Sequence, residues 1–156
     1  MTPTHFIRTA RKLARGRGGK PQQVDLRRAV STAYYALFHC AAKAYADALI
    51  GTARTRNNLA WKQAYRSLVH AQVARCCNRK EIMEQFSPEI QEFAHVFSLL
   101  QSKRYDADYD PSETFHRSEV LKDIKDAENA ITNFKEAKLY ERKAFVTFAT
   151  TNFRKL

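Results

Sequence analysis

The apolar residues of this chain recur every three or four positions, the spacing that places side chains on one side of an α-helix. The clearest stretch follows Pro21, and its apolar positions are Val30, Ala33, Tyr34, Leu37, Ala41, Tyr45 and Ala48. A stripe of this kind is typical of a helix that packs into a core. The pattern predicts one long helix over about residues 21–50.

Four further stretches have helical spacing, and local signals mark their ends. A glycine-rich segment ends the first. Asn58 is the expected cap of another, and the sequence Ser87-Pro88-Glu89 is a good helix start. A turn at Asp-Tyr-Asp-Pro separates the last two. The expected helices cover about 4–15, 59–79, 87–103, and a stretch that begins between 112 and 118 and continues through at least 135.

The C-terminal segment gives a weaker signal, because Thr147, Thr150 and Thr151 lower its helix propensity. We expect it to pack back on the bundle or onto another subunit. Its aromatic residues, from Phe145 to Phe153, favour a homodimer.

Together these patterns predict an all-α, up-and-down bundle of four main helices, with an additional short helix and a C-terminal extension. A chain of 156 residues fits one domain, 1–156, with a core of about 4–137 and an extension of 138–156. No apolar run approaches the roughly 18 residues of a membrane span. The N-terminal segment lacks an apolar signal core, so we expect a cytoplasmic protein without membrane contact.

Charge divides the chain into two unlike halves. Residues 1–80 contain 16 Lys and Arg against two acids, whereas residues 81–156 contain 11 against 14, for a net charge of +11. Arginine dominates the basic half, and its planar fork suits phosphate contact. RNA, DNA or nucleotide phosphate is the favoured partner, although an acidic protein would satisfy the same charges. The candidate phosphate-binding residues are Arg28, Arg54, Arg56 and Arg104.

The glycine-rich segment 16–21 is also basic. It lacks the spacing of a Walker phosphate loop and no strand precedes it, so it is interpreted as a flexible basic connector. Such loops can still touch a nucleic acid backbone.

A polar face runs along the helix over 21–50. It carries Asp25, Arg28, Ser31, Tyr35 and His39, since steps of three and four residues keep side chains aligned. Polar groups on a buried helix need partners. The candidate second element is the segment from Arg104 to Pro111.

These two segments resemble the HEPN superfamily of small prokaryotic helical domains. Arg28 to His39 matches an Arg-Ala-Val-Ser-x-Ala-Tyr-Tyr-Ala-x-Phe-His helix, and Arg104 to Tyr109 matches a later Arg-x-x-Ala-Asp-Tyr turn, both from a stand-alone prokaryotic branch. The resemblance implies a helical bundle, a homodimer, and a protein that binds or acts on RNA or nucleotides in a toxin–antitoxin or defence pair. The alternatives are a non-catalytic helical partner of a minimal nucleotidyltransferase, and a basic nucleic-acid-binding module without activity.

The resemblance also implies a test for activity. RNA-cutting HEPN proteins have an arginine followed about four to six residues later by a histidine, whose near-neutral pKa suits acid–base work without a metal. Arg104 would be that arginine, but Asp108 and Tyr109 stand at the histidine's place, and the next histidine is His116. Enzymatic activity is therefore left open, with Arg104, His39 and Tyr109 as the catalytic candidates.

Two interpretations of the polar residues compete. In the first, Asp108 pairs with Arg28 or Arg104 in a structural network that includes Asp25 and Tyr35. In the second, a pocket stays open, with the arginines on a phosphate and His39 as acid or base.

Other candidate chemistry is weaker. Asp106, Asp108 and Asp110 have calcium-like spacing, but Pro111 and Arg117 replace the required glycine and glutamate, so no metal or other cofactor is expected. Cys40, Cys76 and Cys77 lack Cys-x-x-Cys spacing. Cys40 is interpreted as core filler, because it diverges by about 100° from its neighbour His39. Arg66 and His70 are interpreted as a surface or capping pair.

Overall fold

The computed structural model describes residues 1–155, in which all regular structure is helical. One 3₁₀ turn, Arg17–Gly19, follows the first helix. The α-helices are α1 (Pro3–Arg15), α2 (Gln23–Ile50), α3 (Asn58–Arg66), α4 (His70–Cys77), α5 (Lys80–Met83), α6 (Pro88–Tyr109), α7 (Arg117–Glu136) and α8 (Leu139–Thr150). The predicted all-α bundle is confirmed, and α1, α2, α6 and α7 are its long members.

The 28-residue helix α2 lies at the centre and packs against α1, α3, α6, α7 and α8. Its predicted stripe is buried as expected at Val30, Ala33, Tyr34 and Leu37, each fully removed from solvent. Burial of a side chain of the size of Val or Leu contributes about 1.5–3 kcal/mol to folding. None of the helices formed by residues 1–155 has the length and apolarity that crossing a lipid bilayer requires.

Helix α6 is longer than the sequence predicted, because it continues past residue 103 to Tyr109. The segment 104–109, predicted as a turn, is therefore the C-terminal end of a helix. Ala107 is buried on the core side, and Arg104 and Asp108 form an i,i+4 ion pair along the helix. The helix ends at the residue before Asp110-Pro111, as the fixed ring of proline requires.

The predicted helix over 59–79 is wrong in the middle, since the chain forms two helices there with a break at 67–69. Ser67 caps the C-terminal end of α3, because its backbone N–H and its hydroxyl both donate to the carbonyl of Ala64, at 3.1 and 2.7 Å. The break buries Leu68 and starts a new helix at His70. The cap of α3 is Asn57 rather than Asn58, and its side chain accepts from the N–H of Ala60 at 3.0 Å.

The C-terminal segment forms helix α8 despite its threonines. Thr147 and Thr150 donate their hydroxyls to the carbonyls four residues earlier, both at 2.7 Å, so the hydroxyls are satisfied within the helix. Phe145 is fully buried, with its ring 5.7 Å from that of Phe134 and 5.8 Å from that of Phe93. Of the two placements expected for this segment, the structure has it packed back on the bundle. The homodimer stays a prediction, without support from Phe145.

We expect Phe145→Ala to lower the free energy of unfolding by about 3–5 kcal/mol, because it opens a cavity among buried aromatic rings. Denaturant unfolding followed by circular dichroism measures this change. Phe153→Ala is the matched control, since Phe153 lies beyond α8 and is 40% exposed. Equal effects of the two substitutions would contradict the role of α8 in the core.

Candidate functional site

Polar and aromatic side chains from α2, α4 and α6 meet along one side of α2. We call this set the polar junction, and its members are Ser31, Tyr34, Tyr35, His39, His70, Arg104 and Asp108. All but Tyr34 keep part of their surface in contact with solvent.

Arg104 is fixed from two sides within the junction. Its Nη1 lies 3.4 Å from the Oδ2 of Asp108, and its guanidinium carbon lies 5.2 Å from the centre of the buried Tyr34 ring. The hydroxyl of Ser31 donates to the Oδ1 of Asp108 at 2.6 Å and so ties this ion pair to α2. The side chain of Arg104 is 18% exposed, and its buried Nε has no hydrogen-bond partner among residues 1–155. An arginine held in this way is pre-organised, and its Nη2, which makes no hydrogen bond within residues 1–155, is the donor left for a ligand.

Two histidines, each bonded to a tyrosine, extend the junction. The Nδ1 of His70 lies 2.6 Å from the Tyr34 hydroxyl, and its ring stacks on Phe38 with centroids 3.7 Å apart. The Nδ1 of His39 lies 2.5 Å from the hydroxyl of Tyr65, and its ring stacks on Phe6. The ring of Tyr35 lies between them, about 6 Å from each: 6.3 Å from His39 and 6.0 Å from His70.

The environment favours the neutral form of both histidines. Burial lowers the pKa of His39, and burial together with the positive charge of Arg104 lowers the pKa of His70, which protonation of His39 would lower further. Burial also raises the pKa of the Tyr34 hydroxyl far above its ordinary value, although Arg104 opposes the shift. At neutral pH the junction thus contains the ion pair of Arg104 and Asp108, two uncharged imidazoles and the un-ionised phenol of Tyr34.

His70 is the residue that sequence reasoning missed. It was interpreted with Arg66 as a surface or capping pair, whereas His70 is half-buried in the junction and Arg66 is exposed at the end of α3. The unpredicted break at 67–69 changes the helical phase, so the spacing of four residues carried no information about this contact. No histidine follows Arg104 at the spacing of the RNA-cutting HEPN proteins, but the fold places His70 of α4 and Arg104 on the same Tyr34 side chain.

The other predicted site residues lie at different places. Arg28 is exposed on α2, and its side chain makes no hydrogen bond or ion pair within residues 1–155; Arg54 is likewise exposed, in the loop before α3. The guanidinium of Arg56 stacks over Trp61 at 4.4 Å and lies 3.5 Å from Asp47, so it holds that loop. Tyr109 is 66% exposed at the end of α6, and its ring contacts that of Tyr105.

The observed polar network therefore differs in part from the network that the sequence predicts. Asp108 pairs with Arg104 rather than with Arg28. Asp25 does not join the network: its Oδ2 accepts the backbone N–H of Gln22 at 3.0 Å, in a capping box at the start of α2.

Arg27, adjacent to Arg28, makes the contact between α2 and the end of α6, which the sequence did not predict. Its Nη1 donates to the carbonyls of Ala107 and Asp110 at 3.0 and 2.8 Å, and its Nη2 donates to that of Glu113 at 2.6 Å. These carbonyls lie at and beyond the C-terminal end of α6, where a helix has unpaired acceptors and a partial negative charge. Arg27 thus fixes the end of α6 that carries Arg104 and Asp108.

The cysteines and aspartates have structural surroundings. Cys40 is 4% exposed, and burial raises its pKa to about 12, so the thiol is not an activated nucleophile. Asp110 accepts the hydroxyl and N–H of Ser112 and ends α6. Over residues 1–155, no three His, Cys, Asp or Glu side chains converge as a metal ion would need.

No protein-family model, curated protein or solved structure matches this chain. The fold and the junction therefore define its class on their own. It is an all-α helical bundle in which an arginine, an acid and one histidine from other helices join a second histidine on one side of the central helix.

We expect both junction histidines to titrate below pH 6.5, and Arg104→Gln to raise the pKa of His70 but not that of His39, because only His70 experiences the charge of Arg104. Proton NMR of the imidazole resonances against pH measures both values. Since the unfolded chain protonates near pH 6.5, the free energy of unfolding should fall as the pH drops below about 6.5. A His70 pKa that does not respond to Arg104→Gln would contradict this placement.

Proposed function

We propose that this protein is HEPN-like and binds RNA, with the polar junction as a contact for a phosphate group. One observation carries the proposal. The two segments that resemble the HEPN motifs are about seventy residues apart in sequence, yet Ser31 bonds to Asp108 at 2.6 Å and Arg104 lies over Tyr34 at 5.2 Å. This contact supports a shared site.

The charges of the junction fit a phosphate. Arg104 is already oriented, and its Nη2 makes no hydrogen bond within residues 1–155, so a donor is available at a low entropic cost of binding. Arg28 lies one turn before Ser31 on α2, and no acid among residues 1–155 pairs with it. The carboxylate of Asp108 opposes an incoming anion, but its two oxygens are engaged by Ser31 and Arg104.

We expect short single-stranded RNA to bind in a salt-dependent manner. Each phosphate contact adds about 0.7 to the slope of log K against log salt, and so about 0.7 to log K near 0.1 M salt. Loss of two contacts in Arg28→Gln/Arg104→Gln should therefore weaken binding about 25-fold. Fluorescence anisotropy of a labelled oligouridylate measures this. Arg75→Gln/Lys143→Gln removes the same charge from exposed positions in α4 and α8 and should bind as the unmodified protein does. An unmodified protein that does not bind RNA would contradict the proposal.

A second candidate function, metal-independent RNA cleavage, is favoured by the position of His70. A neutral imidazole and a fixed arginine that contact the same Tyr34 side chain are groups of the kind that general acid–base attack on a 2′-hydroxyl needs. Both histidines use Nδ1 for a tyrosine, and neither Nε2 has a partner among residues 1–155. The tyrosine bond would then orient each ring for work at Nε2.

In this second function, cleavage in EDTA should fall at least about 100-fold in His70→Gln, a typical loss for an acid–base group, with RNA affinity unchanged. Gel analysis of end-labelled RNA measures the rate. His95→Gln is the control, because His95 is exposed on α6 and is not a junction member. Cleavage that survives His70→Gln, His39→Gln and Arg104→Gln comes from a contaminant, and absent cleavage with intact binding leaves the binding function alone.

A further inference from the structure

A cleft of about 630 Å³ lies between the end of α1, the glycine-rich segment and the start of α2. It does not include any member of the polar junction. Its lining includes Lys12, Gly16, Arg17, Lys20, Gln22 and Asp25.

The cations of this cleft are unpaired. Lys12, Arg17 and Lys20 are exposed, and no carboxylate among residues 1–155 lies within ion-pair distance of them. Neighbouring arginines are engaged instead: Arg11 is paired with Glu128, and Arg117 donates to the carbonyl of Gly19 at 3.0 Å. Glu128 thus neutralises Arg11 beside the cleft, whereas the three cations inside the cleft stay available.

The one acid in the lining is already satisfied. The Oδ2 of Asp25 accepts the N–H of Gln22 in the capping box of α2. Its charge also compensates the partial positive charge at the start of that helix. The three cations therefore outweigh it, and the cleft has a net positive charge.

The segment that forms one wall, predicted as a basic connector, contains the 3₁₀ turn Arg17–Gly19. Gly16 has a φ of 69°, and a Cβ atom there would lie 2.4 Å from the N of Pro21, so only glycine fits. The N–H of Gly16 donates to the carbonyls of Lys12 and Leu13, and the N–H of Lys20 donates to that of Arg17. Together with the bond from Arg117, these contacts fix the backbone that carries Arg17 and Lys20.

We infer that this cleft is a second binding site for the phosphates of single-stranded RNA, separate from the polar junction. The inference rests on the proposed function and adds the surface over which the strand extends. Asp25, Arg28, Thr32, Tyr35 and His39 lie in steps of three and four along α2, so one helix face leads from the cleft to the junction. At 1.5 Å per residue, the junction member Tyr35 lies about 15 Å along that face from Asp25, and His39 lies about 21 Å from it.

Continuity with the junction selects nucleic acid over an acidic peptide. Arg28, exposed and unpaired, lies one turn from Asp25 toward the junction and supplies a cation between the two sites. A polyanion with regularly spaced phosphates can contact the cleft, Arg28 and Arg104 at once. An acidic peptide that fills the cleft gains nothing from the imidazoles and phenols beyond it.

The test is the salt dependence of RNA binding by Lys12→Gln/Arg17→Gln/Lys20→Gln in the full chain. Loss of three single-strand phosphate contacts should reduce the slope of log K against log salt by about 2 and the affinity about 100-fold near 0.1 M salt. The probe is the labelled oligouridylate, read by anisotropy. Arg75→Gln/Lys135→Gln/Lys143→Gln removes the same residue types and the same charge from exposed positions in α4, α7 and α8, and should keep the original slope.

The outcomes separate this inference from the proposed function. If the cleft variant keeps the slope while Arg28→Gln/Arg104→Gln loses affinity, RNA binds at the junction and the cleft inference fails. Equal losses in the cleft and control variants would attribute binding to net charge and overturn the inference as well. Absence of RNA binding by the unmodified protein, with cleft-dependent binding of polyglutamate, overturns both in favour of an acidic protein partner. Circular dichroism melts check that each variant is folded.

Discussion

The attachment of the end of α6 to α2 is the constraint on which the candidate site depends. Apolar burial along α2 supplies most of the stabilisation, but it does not by itself fix where α6 ends or how its last turns face α2. Arg27 does so by donating to carbonyls at and beyond the C-terminal end of α6, and Ser31 adds a bond to Asp108. A cation at a helix C-terminus contributes about 0.3–2 kcal/mol, depending on burial. Its structural effect is larger, because Arg104 and Asp108 lie on the turns that it fixes.

This attachment also explains why the structural and chemical interpretations of the polar residues are compatible. Asp108 orients Arg104 through a 3.4 Å contact, and Tyr34 supports the same guanidinium from the core side. Pairing through Nη1 fixes the direction of the arginine without using all its donors, since Nη2 makes no hydrogen bond within residues 1–155. Groups held in this way are suited to binding because they lose little freedom when a ligand arrives. The network that stabilises the bundle is the same one that would present a cation to a phosphate.

The arrangement of charge follows from the helix connections. The basic half of the chain forms α1 to α4, whereas the acids belong mainly to α6 and α7. Packing brings some of these acids onto basic residues, as in the pair of Arg11 with Glu128. It leaves other basic residues unpaired at the turn between α1 and α2. The net charge of +11 is therefore concentrated rather than spread evenly, and one of its concentrations lies at the start of the helix that carries the junction.

The sequence by itself determined the helical class, the long central helix and the start of α6, because apolar spacing and the residues at helix ends are local properties. It also predicted that the two motif segments lie next to each other. Only the tertiary structure decided the break at 67–69, the entry of His70 into the junction, and the choice of Arg27 over its neighbour Arg28. Each of these depends on groups distant in sequence: the core that buries Leu68, the Tyr34 hydroxyl, and the free carbonyls of α6. Helix α8 formed for the same reason, since burial of Phe145 outweighs the weak propensity of its threonines.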